Sequence, residues 1–150
     1  MKVFVSNLQK DLSISKTQVV GLVEAFFDWK KVSVDEVSLT FVTKKKISSL
    51  HKNHFNDPSP TDCISFPIDL PGSAPYTLLG ELFICPEAAL EYAPEEPYLE
   101  LSLYIVHGLL HLLGYDDIDP KDRESMRKEE RAAINSLKKN HKILYKLEKS

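Results

Sequence analysis

The sequence predicts an α+β fold, an α/β sandwich built as a single domain over residues 1–150, with a small mixed sheet of about four strands packed with about five helices. Three observations carry this. The chain has 150 residues, 43% of them hydrophobic, enough to bury one core. Segments of period-two hydrophobicity are interleaved with segments of period 3.6 instead of being grouped apart. No repeat of ~20–50 residues recurs, which sets aside solenoids and propellers.

Residues 1–5 alternate as a short strand, Val3 and Val5 against Lys2 and Phe4. Ser15 is a helix N-cap, and Val19, Leu22, Val23, Phe26 and Phe27, three and four apart, form an apolar stripe behind it. Residues 34–43 alternate again, with Val37, Leu39 and Phe41 on one face. Residues 44–55 read as a short helix with Ile47 and Leu50 inward, ended by the turn chemistry of NDPSPT at 56–61. Two core strands follow at 63–68 and 79–85, joined by a Pro- and Gly-bearing loop at 69–77. A second long helix starts near Pro97 and runs through 98–113, with Gly114 as its left-handed terminator. After a polar turn at 116–120, a last helix covers roughly 121–147.

Composition excludes several classes. With 5 Gly and 9 Pro the chain is neither collagen-like nor low-complexity. No apolar run approaches the ~18–20 residues of a membrane span, and the N-terminus lacks a signal-peptide pattern. Cys63 and Cys85 make no disulfide framework and read as small core residues, so a cytoplasmic protein is expected. The net charge of −3 hides an asymmetry: residues 1–120 hold 9 basic and 17 acidic side chains, residues 121–150 hold 10 and 5. Such a chain is no general nucleic-acid coat, yet it can hold a polyanion through a local basic face. The late lysines (Lys138, Lys139, Lys142, Lys146, Lys149) read first as a solvated face and second as a phosphate-contacting patch.

The chemistry concentrates in HGLLHLLGYDDID, residues 107–119. His107 and His111 are four apart in a helical pattern, so their imidazoles share a face and can reach one ion at the ~2.0–2.1 Å of a zinc–nitrogen bond. Gly114 lets the chain leave the helix and return a carboxylate to the same ion, from Asp116, Asp117 or Asp119. A bare histidine pair on a helix more often sits at a core edge. Here the flanks are apolar (Leu103 to Val106, Leu109, Leu110, Leu112, Leu113), and buried imidazoles need partners, so a metal is the better reading. Two histidines and a carboxylate with an open position are catalytic-zinc chemistry. A peptidase of the H-E-x-x-H type would have glutamate where Gly108 stands, which argues against peptide hydrolysis.

HGLLHLLGYDD, preceded by PTDCISFP at 60–67 and LGELFIC at 79–85, resembles the YbeY family of bacterial rRNA maturation factors over nearly the whole chain. The resemblance implies a metal-dependent, single-strand-specific endoribonuclease acting in late maturation of the 16S rRNA 3′ end and in ribosome quality control. It implies one zinc ion per chain, with single-stranded RNA and the small ribosomal subunit as partners and neither DNA nor a membrane. His107, His111 and the position of the family's third histidine, here Asp117, become both metal ligands and catalytic residues. Aspartate is a competent ligand, but its charge leaves the ion less electron-poor than three neutral imidazoles would.

A second departure lies upstream, where the family's arginine falls on Phe55. An arginine beside a phosphodiester transition state offsets its negative charge. Lys52 and the 44–46 lysines are the nearest substitutes, without the bidentate fork, and His54 is a further donor. Thr61, Asp62 and Ser65 either line an RNA groove or cap the turn; Glu81 and Glu100 are candidates to support the site, Glu100 by orienting an imidazole. The substrate-binding set is therefore Lys52, His54, Thr61 and Ser65. Attack on the phosphodiester comes from water activated at the ion or from the RNA's own 2′-OH. The alternative function is a ribosome-assembly or RNA-binding factor with a weakened metal centre.

Overall fold

The computed structural model describes residues 1–55 and 62–147, with side chains at 1–52 and 62–147. In chain order the elements are β1 (Lys2–Asn7), α1 (Lys16–Lys30), β2 (Glu36–Phe41), α2 (Lys44–Phe55), β3 (Cys63–Pro67), β4 (Leu78–Ile84), α3 (Pro86–Tyr92), α4 (Pro97–Leu112) and α5 (Pro120–Lys139). The strands form one mixed sheet in the order β1-β2-β4-β3, the first two pairings parallel and the last antiparallel. The expected α+β sandwich of four strands and five helices is therefore the observed fold.

Alternation decides which side of the sheet each helix covers. In β2, Val37, Leu39 and Phe41 are buried between half-buried Ser38 and Thr40. In β4, Leu82 and Ile84 join the main core while Phe83 packs on a smaller cluster. The main core takes the α1 stripe (Val19, Leu22, Val23, Phe26, Phe27) and the apolar length of α4. The smaller cluster takes Ile47 and Leu50 of α2. The Ser15 hydroxyl caps α1 by accepting from the Gln18 amide at 3.2 Å. Among the described residues no helix is long and apolar enough to cross a membrane.

Two elements differ from the sequence expectation. Pro86–Tyr92 forms α3, with Pro86 in its first turn and Ala89 buried, where no helix was read. The last helix ends at Lys139, not near 147: His141 is left-handed (φ 58°) and the chain folds back. There Leu144 is buried, its amide donating to the Ser102 hydroxyl at 3.0 Å, and the Tyr145 amide donates to Gln18 Oε1 at 2.9 Å. Covering Leu144 against α4 outweighs another turn of solvated helix. The turn read at 56–61 lies outside the described residues.

Gly108 shows how tightly α4 lies on the sheet. A Cβ there would sit 2.8 Å from Cys63 Sγ and 2.8 Å from Leu82 Cδ2. The peptidase glutamate is therefore not simply missing: there is no room for one. Gly108→Ala is expected to destabilise the protein by about 1–3 kcal/mol despite alanine's better helix propensity, because the packed Cys63 and Leu82 side chains must shift to admit the methyl group. A urea midpoint lowered at unchanged slope is the measurement; an equal or raised midpoint refutes the close-packing account.

Candidate metal centre

The site starts from the end of α4. The Gly114 amide donates to the His111 carbonyl at 3.0 Å and the Tyr115 amide to the Leu110 carbonyl at 3.0 Å, with Gly114 at φ 101°. This is a Schellman ending, and glycine supplies the positive φ as the sequence predicts. It turns the chain so that the Tyr115 carbonyl accepts a hydrogen bond from His111 Nδ1 at 3.0 Å. Because a carbonyl only accepts, that bond puts a proton on Nδ1, so that in the neutral ring His111 Nε2 is the acceptor nitrogen. The Tyr115 ring is fixed by its hydroxyl, which donates to Glu129 at 2.9 Å and accepts from Lys30 Nζ at 2.5 Å; Lys30 and Glu129 are also paired. Burial works against the Lys30 ammonium, but its bonds to Glu129 and Tyr115 prevail and raise its pKa.

His107 is held from α5. Its Nδ1 lies 2.5 Å from Glu130 Oε1, which points its Nε2 towards His111. Burial opposes the His107 imidazolium, yet the Glu130 bond and charge, with Asp62 and Asp117 beyond, raise its pKa overall. The two Nε2 atoms are 3.0 Å apart, and Asp117 Oδ2 lies 3.7 Å from one and 3.6 Å from the other. Two imidazole nitrogens and a carboxylate oxygen converge here, and with His107 neutral all three are electron-pair donors. The donor set calls for a cation. A tetrahedral ion with ~2.0–2.1 Å bonds needs donors ~3.3–3.4 Å apart, which these distances match within a few tenths of an ångström.

Of the three aspartates the sequence left open, geometry separates one. Asp116 Oδ1 accepts from the amides of Asp117 and Ile118, and Asp119 caps α5 by accepting from Lys121 and Asp122. Asp117 alone of the three meets the histidines; His107, His111 and Asp117 form the metal-capable group found among the described residues.

A cavity of about 660 Å³ opens over these three, with His51, Asp62 and Ser65 among its walls. Lys52 is exposed and does not line the cavity; its neighbour His51 does. The side chains of His54 and Phe55, and all of Thr61, lie outside the described residues. Cys63 also lines the cavity, but burial pushes its thiol far up, so it stays a neutral packing group. Glu81 is exposed on β4.

Sequence reasoning missed Glu130 and His51, and read Asp62 only as a cap or groove residue. The carboxylate on His107 is Glu130, not Glu100, whose neighbour is Tyr104. A residue 23 positions away on another helix leaves no local spacing signal. Glu130→Gln keeps the shape and removes the charge; it is expected to weaken zinc binding by about 10–100-fold, read by competition with a chromophoric chelator. Unchanged affinity would reduce Glu130 to packing.

Comparison with known proteins gives concordant matches. The family model described as Endoribonuclease YbeY matches residues 4–138. A Protochlamydia amoebophila protein named Endoribonuclease YbeY is 44% identical over 137 residues, covering 89% of this chain and 91% of its own. A protein of the same name from Chlamydia trachomatis serovar D is 40% identical over 148 residues, covering 95% and 92%. A Thermotoga maritima protein solved in solution superposes with a TM-score of 0.62 at 19% identity, covering 93% and 91%, a likeness of fold.

Proposed function

The chain belongs to the Endoribonuclease YbeY family and is a ribonuclease, and from that premise we propose a zinc-dependent enzyme specific for single-stranded RNA. Its substrate would be the small-subunit rRNA precursor, cut near the 16S 3′ end during cytoplasmic maturation and ribosome quality control, with residues 1–150 acting as one unit. The observation that carries zinc dependence is the convergence of His107 Nε2, His111 Nε2 and Asp117 Oδ2, each nitrogen aimed by its own Nδ1 partner. Zinc at this point would offset the negative charge that develops on the phosphoryl oxygens.

The protein's own residues supply the rest. Glu130 and the Tyr115 carbonyl hold both imidazoles in the tautomer that offers Nε2, so no ligand reorients as the reaction proceeds. Asp117 is 43% exposed and faces the cavity, leaving room for a phosphate on its open side. In the same cavity, Ser65 Oγ is a hydrogen-bond donor for a phosphate oxygen. Asp62 and His51 are the further ionisable groups lining that cavity suited to take a proton from the nucleophile and return one to the leaving 5′ oxygen.

The test is elemental analysis of protein purified without a metal-affinity tag, beside His107→Ala, followed by cleavage of matched single- and double-stranded RNA. About one zinc per chain, lost in the variant, with cleavage confined to the single strand supports the reading. No zinc after it has been offered and the excess removed overturns it in favour of an RNA-binding factor with a vestigial centre.

A further inference from the structure

Between α4 and α5, beside the metal centre, lies a groove of about 390 Å³. Its apolar floor is Leu99, Leu103 and Ile134, and its rim carries Arg127, Arg131 and Lys138. A smaller hollow shares Glu100, Leu103 and Glu130 with this groove and reaches His107. Tyr92, 78% exposed at the end of α3, stands on the wall of that hollow.

We propose that this groove carries the single-stranded RNA away from the metal centre, with Arg127, Arg131 and Lys138 on its phosphates and Tyr92 stacked on a base. The proposal rests on the endoribonuclease reading and adds to it a binding surface. Charge is the first argument. The chain is acidic through residue 120, and the excess of basic side chains falls on α5 and beyond. Among the described residues none of the three cations is in an ion pair. Of the two acids that also line the groove, Glu130 is held by His107, and Glu100 lies beside Tyr104 on the side of the smaller hollow.

Geometry is the second argument. Spacings of four and seven residues keep the cations on one face of α5, over about 16 Å of helix axis, room for several phosphates. The apolar floor beneath them suits unpaired bases, which a duplex keeps stacked inside. A basic track on the groove, with an exposed aromatic ring on the adjoining hollow, is the combination that binds single strands regardless of sequence.

The experiment is fluorescence anisotropy of zinc-loaded protein with a labelled, 2′-O-methylated single-stranded 12-nucleotide RNA, titrated at several salt concentrations. R127Q/R131Q/K138Q is expected to weaken binding at least about tenfold and to reduce the slope of log Kd against log salt by about 2, near 0.7 per lost phosphate contact. K2Q/K10Q/K16Q, removing as much charge from exposed positions elsewhere, is expected to change neither. Y92A is expected to weaken binding about tenfold, and Y92F to restore it. The single variant R131Q, expected to reduce the slope by about 0.7, keeps the test intact if the triple variant folds poorly. Wild-type binding by the triple variant overturns the groove and leaves the rim to an acidic polypeptide; equal losses in the control variant overturn it in favour of diffuse charge. In both cases cleavage by the wild type would leave the endoribonuclease reading standing. A wild type that neither binds nor cuts single strands overturns both.

Discussion

His111→Ala is expected to lower cleavage of single-stranded RNA by at least about a thousandfold while leaving the metal-free fold nearly as stable. His111 supplies one of only two nitrogen donors in the group, and an Asp117–His107 remainder cannot hold zinc against even a weak chelator. Loss of the charge stabilisation that a metal gives a phosphoryl transition state is worth several kcal/mol, and about 4 kcal/mol corresponds to three powers of ten in rate. The fold tolerates the change because the ring stands at the cavity rather than in the core: it is partly exposed, on a helix whose packed face is Leu101, Ile105, Leu109 and Leu112. Alanine also suits a helix better than histidine. The rate and the melting temperature of the metal-free protein should be read together. Cleavage within tenfold of wild type would remove His111 from the reaction.

How much of this was legible follows from the range over which each signal acts. β2 and α1 could be read because alternation and the three–four stripe are local consequences of which residues face the core, and the structure buries those residues. α3 could not: seven residues are too few for a period to declare itself, and its Pro86 start looks equally like a turn. The end of α5 was overrun because only Leu144, buried against an element forty residues earlier, draws the chain away from the helix axis. The same division holds in the site. His107, His111 and Gly114 lie within one helix and its cap, so spacing reveals them; spacing leaves three aspartates open, the family resemblance picks Asp117, and only the structure shows Asp116 and Asp119 engaged elsewhere. Glu130, Asp62 and His51 come from three other segments and meet the centre only in the tertiary structure. Lys52 is one residue from His51, but on a helix that is a rotation of ~100°, so His51 lines the cavity while Lys52 is exposed.

Zinc at about a hundred times its dissociation constant is expected to raise the melting temperature of the wild type by about 5–10 °C, since binding to the folded state alone adds ~2.7 kcal/mol, and each kcal/mol moves a domain of this size by ~2–4 °C. The shift should vanish in His107→Ala and in His111→Ala. Asp117 is the more demanding test. It is the most exposed of the three and its oxygen lies farther from either nitrogen than the nitrogens lie from each other, so its ligation depends on a short movement of the turn after Gly114. If it ligates, Asp117→Ala leaves two imidazoles and reduces the shift to a small fraction at the same zinc concentration. Asp117→His, which restores three imidazoles, should keep most of it. Asp117→Asn separates charge from shape: a neutral amide is a poor zinc donor, so it should fall with alanine rather than with histidine. If Asp117→Ala keeps the full wild-type shift, the ion is held by the histidines with solvent, and the aspartate at the family's third-histidine position acts only as a nearby negative charge.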